Sequence, residues 1–173
     1  MALTTNTRYS SPLSDYTNYA ARIRGMIINE MAQMEQMLDT YICKHFCHSI
    51  EKREELREVI ISSKYMTYGA KCDILKCLLE RNGDTSKKEA REIHALLKFK
   101  IGETRNMIAH CILDTSHVAL DSFMTYKNTI YFHKYENTKK TIRFTGKEAL
   151  KLGQDILAAR NFLMGLISPF RKK

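Results

Sequence analysis

The sequence predicts a mainly α fold, a helical bundle with a small antiparallel β-hairpin or meander before the last helix. Three observations predict it. Apolar residues recur at three- and four-residue spacing over most of the chain. A β-rich texture with polar turns interrupts that spacing after residue 110, and a helix-start signature at Thr145 restores it. At 173 residues, 44% hydrophobic and 27% charged, the chain reads as one globular domain able to bury a core without disulfides or metal.

A loose N-terminal arm is expected over residues 1–14, which are rich in Thr, Ser and Asn and have no apolar face. From an expected cap at Ser14 and Asp15, Ile23, Ile27, Met31, Met34, Leu38, Tyr41 and Ile42 mark a long amphipathic helix. Met26, Met31, Met34 and Met37 give it a dense methionine face, suited to adaptable packing within the bundle or to a dimer contact. Glu35 on this helix reads as a solvated carboxylate or as a partner for a functional arginine.

The mixed-charge run from Glu51 to Glu58 suits a short solvated helix, anchored by Val59, Ile60 and Ile61. Ala70, Ile74, Leu75, Leu78 and Leu79 mark a core helix that stops at Gly83. Asp84, Thr85 and Ser86 open the next, which carries Ala90, Ile93, Leu96, Leu97, Ile101 and Ile108. Gly102 is its weak point, costing about 1 kcal/mol relative to Ala and tolerable if another backbone packs there.

Between residues 118 and 145 the residues turn β-rich, with Val118, Leu120, Phe123, Thr125, Ile130, Phe132 and Ile142. Turns are expected at Lys127–Thr129 and over Glu136–Lys140. Thr145 and Glu148 have capping-box spacing and open a last helix with Leu152, Ile156, Leu163 and Leu166. The single domain is thus expected over 15–168, followed by a basic tail at 169–173.

Composition bounds the function. Lys and Arg number 28 against 19 Asp and Glu, and the net charge of +9 favours a polyanionic partner such as nucleic acid. The five cysteines, odd in number and with no signal-like segment, point to a reducing cytoplasmic compartment. No apolar run approaches the roughly 20 residues of a membrane span, so no membrane partner is expected. Gly-rich phosphate loops, nucleophile elbows and His-Glu-x-x-His are absent. Cys43, His45, Cys47 and His48 lack the spacing of structural zinc, and the cysteines read as buried small hydrophobes.

The chemistry concentrates in Arg105, Asn106 and His110. Helical spacing puts Asn106 and His110 on one face near a helix end, and the long arm of Arg105 can converge on them. A second candidate surface interleaves Tyr126, Tyr131 and Tyr135 with Lys127, Lys134, Lys139, Lys140 and Arg143, the composition of a stacking and phosphate-binding face. A sheet that merely covers the bundle would carry the same residues.

The spacing Arg105-Asn106-x(3)-His110 resembles the Arg-polar-x(3)-His motif of the HEPN superfamily (higher eukaryotes and prokaryotes nucleotide-binding), and the order of elements over roughly 15–168 is similar to that family's. The resemblance implies a HEPN-like bundle and a metal-independent endoribonuclease with no cofactor. In that family two protomers form a composite site, so Arg105, Asn106 and His110 of each chain would be catalytic. RNA and a homodimeric partner are implied, and a role as a toxin, stress or phage-defence effector, with an antitoxin or defence-system protein as further partner. One toxin branch carries a Tyr two residues after the His. Ile112 stands there in this chain, so modification of that tyrosine is excluded. The alternative is a catalytically silent HEPN-like module that binds RNA, a nucleotide or a protein.

Overall fold

Helix α1 (Pro12–Phe46) is the spine of the molecule, 35 residues long and therefore about 52 Å from end to end. This computed structural model describes residues 11–83, 85–134 and 137–168, so residues 1–10 of the expected 1–14 arm, Asp84, Tyr135, Glu136 and the basic tail lie outside the described residues, while 12–14 of that arm belong to α1 instead. The helix starts earlier than the Ser14 cap expected from sequence. The Ser11 side chain caps it by accepting from the Ser14 amide, and Pro12 in the first turn gives up an N–H that has no partner there anyway.

Tyr16, Ala20, Ile27, Met31, Met34, Leu38 and Tyr41 of α1 point into the core. Met37 is packed against that core and Met26 is exposed, so the methionine face is divided between the interior and the surface.

Helix α2 (Ile50–Leu56) continues into a π turn at Arg57–Ile61. Of the three expected anchors only Ile61 is buried, against Ile42 and Cys43, while Val59 and Ile60 are exposed. Helix α3 (Tyr68–Asn82) is capped by Thr67 and ends on Gly83 in the left-handed region at φ 70°, the expected stop.

Helix α4 (Lys87–Ala95) opens on a complete capping box between Ser86 and Glu89. It runs through a π turn at Leu96–Ile101 into α5 (Gly102–His110) with right-handed helical backbone at both junctions. The expected continuous helix is present, but the wide turn adds a residue and resets which faces look inward.

Three strands form an antiparallel sheet in the order β1 (Ile112–Leu113), β2 (Thr129–Lys134), β3 (Asn137–Thr145). Ile112 pairs with His133, and Phe132 with both Leu113 and Ile142. Ile130, Phe132 and Phe144 are buried, so one face of the sheet closes the core.

Residues 117–126, expected in the β-rich region, form helix α6 (His117–Tyr126) instead. Ser116 caps it, and Ala119 and Phe123, four apart, are buried on one face, with the Phe123 ring 5.2 Å from that of Tyr16. A helix cap and a docked face outweigh β-propensity here, because that propensity mostly measures packing context. Lys127 at φ 58° therefore ends a helix rather than turning a hairpin. Of the second expected turn, 137–140 belong to β3 and Glu136 lies outside the described residues. Helix α7 (Gly146–Ile167) opens on the expected Thr145–Glu148 capping box and packs along α1. No helix among the described residues is long and apolar enough to cross a membrane.

Candidate active site

Helix α5 presents the three motif residues because Leu97, Ile101, Gly102 and Ile108 take the inward positions. That leaves Arg105 half-buried and Asn106 and His110 exposed. Arg105 Nη1 donates to Asn106 Oδ1 at 3.0 Å, so the amide steadies the guanidinium beside it. His110 is the last residue of α5, and its imidazole makes no hydrogen bond or ion pair among the described residues.

The end of α5 is fixed from two sides. The Cys111 amide donates to the Met107 carbonyl at 3.0 Å, closing the last turn. Arg24 of α1 reaches across with Nη2, which donates to the Cys111 carbonyl at 2.8 Å, and its guanidinium lies 5.3 Å from the Phe132 ring centroid. The chain then enters β1. Asp114, beyond it, accepts from the Ser116 amide at 2.9 Å and pairs with His133 at 3.2 Å. Burial alone would raise the Asp114 carboxyl, but these partners outweigh it and hold the group below the usual carboxylate range. Asp114 therefore braces the exit loop, and His117 is an exposed residue in the first turn of α6.

Arg105 and Asn106 stand on a groove of about 470 Å³ between α1, the start of α3 and the π turn. Ile28, Met31, Tyr68 and Phe99 supply apolar wall, and Glu35, Lys98 and Glu103 supply charge. His110 is not among its lining residues. The other flank of α5 borders a second groove of about 320 Å³, where Lys100, Thr104 and Met107 meet Arg143 and Lys151.

Two sequence expectations about charge change here. Glu35 neither floats in solvent nor bonds an arginine. Its Oε1 accepts from Lys71 Nζ at 2.7 Å, and the same ammonium lies 2.9 Å from Asp39. Lys71 is 3% exposed. Burial would neutralise it, but the two carboxylates outweigh that and raise its pKa. Asp39, half-buried, is held above the usual carboxylate range because desolvation outweighs the pull of Lys71.

The predicted cationic face is only partly brought to the motif. Arg143 is exposed and shares the second groove with α5, whereas exposed Lys127 ends α6 and does not line that groove. Lys134, Lys139 and Lys140 sit on β2 and β3, with their side chains outside the described residues. Tyr131 is half-buried, its hydroxyl 3.1 Å from Ser122 Oγ, while Tyr126 is exposed.

Sequence reasoning missed Tyr68, which lies on another helix, and Lys98 and Phe99, whose place seven residues before Arg105 and Asn106 was the signal that could have found them. Lys98 Nζ bonds both oxygens of Asp73, at 2.7 and 2.6 Å, and His94 bonds the first at 2.7 Å. Among the described residues no three His, Cys, Asp or Glu side chains group closely enough to hold a metal ion. The guanidinium that Asn106 steadies can hold an anion, and the exposed imidazole one turn beyond Asn106 can exchange protons, but among the described residues of one chain the two line no common groove. Comparison with protein-family models, curated proteins and solved structures gives no match.

Proposed function

We propose that this chain is a metal-independent endoribonuclease of the HEPN type, acting as a homodimer in which Arg105, Asn106 and His110 of both protomers form one site. The observation that carries this reading is the exposure of His110 at the end of α5, behind an arginine that Asn106 steadies at 3.0 Å. Burial of that imidazole under neighbouring side chains would instead have favoured a silent binding module.

RNA carries its own nucleophile, so the protein has to supply a base, an acid and a cation. One His110 takes the proton of the 2′-hydroxyl as the 2′-oxygen bonds to phosphorus. The P–O5′ bond breaks, and the partner protomer's copy of the same histidine protonates the departing 5′-oxygen. Arg105 offsets the charge that builds on the phosphoryl oxygens. The products are a 2′,3′-cyclic phosphate and a 5′-hydroxyl. Arg143, bordering the other flank of α5, would hold flanking phosphates.

End analysis tests the reaction type. RNA incubated with the purified protein in EDTA should yield cyclic-phosphate and 5′-hydroxyl ends. Fragments with 5′-phosphates, or cleavage only with added Mg²⁺, would contradict it.

A further inference from the structure

The groove beside Arg105 is built for a different part of a nucleic acid than its phosphate. Its volume of about 470 Å³ falls in the range of sites for small organic molecules, about 300–1,000 Å³. Arg105 and Asn106 are on it, yet it also carries two carboxylates, Glu35 and Glu103, which would repel an anion. Lys98, its other cation, is already committed to both oxygens of Asp73. Only Arg105 is left to meet a phosphate.

Glu35 has the attributes of a reading residue. One oxygen is fixed by Lys71, and Asp39 fixes Lys71 in turn, so the carboxylate is set before any ligand arrives. Its side chain keeps 35% exposure, which leaves acceptor capacity for a ligand in the groove. A carboxylate accepts and never donates, so it selects a base edge that presents neighbouring N–H groups. Guanine offers N1–H and the N2 amino group side by side. Adenine and cytosine pair one amino group with a ring acceptor, and uracil sets its single N–H between two carbonyls. Phe99, 51% exposed on the wall, and Tyr68 offer faces for stacking.

We infer that this groove holds the base of a nucleotide adjoining the scissile phosphate, and that Glu35 makes guanine the preferred base. The inference rests on the ribonuclease reading for the word scissile, but the groove's selectivity can be measured without cleavage.

The test is titration of the 173-residue chain with guanosine, adenosine, cytidine and uridine 5′-monophosphates, followed by calorimetry or amide shifts. The guanosine nucleotide should bind at least about fivefold more tightly than the others, the low end for a bidentate base contact. Glu35→Gln should abolish that preference while its side-chain carbonyl still accepts from Lys71. Phe99→Ala, on an exposed position, should weaken all four nucleotides by about fivefold or more without changing their order. Equal affinities, no binding, or a preference that survives Glu35→Gln would overturn the inference. Mapping of cut sites separates the two readings. His110-dependent cleavage with no guanine beside the cut overturns the groove's role and leaves the nuclease standing. Guanosine selectivity in a protein that cuts no RNA does the reverse.

Discussion

The ring of Tyr68 lies so close to Gly102 that a methyl group there would meet Cε1 at 3.1 Å and the Leu97 carbonyl oxygen at 3.2 Å. The glycine at the start of α5 is thus explained by a side chain rather than by a second backbone. It allows α3 to seat an aromatic ring against the helix that carries Arg105. Gly102→Ala gains about 1 kcal/mol of helix propensity but overpacks a contact, which costs typically about 1–3 kcal/mol. A net loss of about 1 kcal/mol is expected in urea unfolding. In a Tyr68→Ala background the same substitution should cost less, with only the Leu97 carbonyl contact left, and a double-mutant cycle reads the difference directly.

Arg24 ties α1 to the end of α5 through the Cys111 carbonyl. Hydrogen bonds from charged groups contribute about 1.5–3 kcal/mol, so Arg24→Ala should destabilise by about that amount. Amides 107–111 should lose hydrogen-exchange protection first. Arg24→Lys should recover part of the loss, since it keeps a charged donor but not the planar fork.

Asp114 gives the fold an acid-sensitive joint. Its folded pKa is lowered, so its contribution is fully present above the unfolded carboxylate value of about 3.9 and is lost as pH falls through the folded one. Asp114→Asn should lower the urea midpoint at pH 7, and the difference should shrink as pH falls through the folded pKa. An unchanged midpoint at pH 7 would contradict this role.

The thiols should differ sharply in reactivity. Burial pushes Cys72 up to about 12 and also raises Cys43, whereas Cys77 is exposed. Cys77 should react first with a disulfide reagent at pH 8, and Cys72 only when the chain unfolds.

Much of this architecture is legible in the sequence because its signals are local. The boxes at Ser86 and Thr145, the stop at Gly83 and the apolar spacing of α1 need no knowledge of distant residues. Helix α6 was not legible, since Val118, Phe123 and Tyr126 carry β-propensity and only docking on Tyr16 and Tyr19 makes their helix worthwhile. Lys71 reads as a surface lysine until α1 brings Glu35 and Asp39 to it from more than thirty residues away. The candidate site divides the same way. Arg105, Asn106 and His110 belong to one helix and can be found by spacing, whereas Tyr68, Phe99 and the groove between them exist only after α1, α3 and α5 assemble.

Cleavage of a mixed RNA pool in EDTA by the wild type, Arg105→Ala and His110→Ala proteins, each shown to be folded, tests the central claim most directly. General acid–base catalysis contributes about 10²–10⁴-fold, so cleavage by His110→Ala should fall at least a hundredfold, and Arg105→Ala should fall with it. Activity that persists in both variants would contradict the assignment of this site.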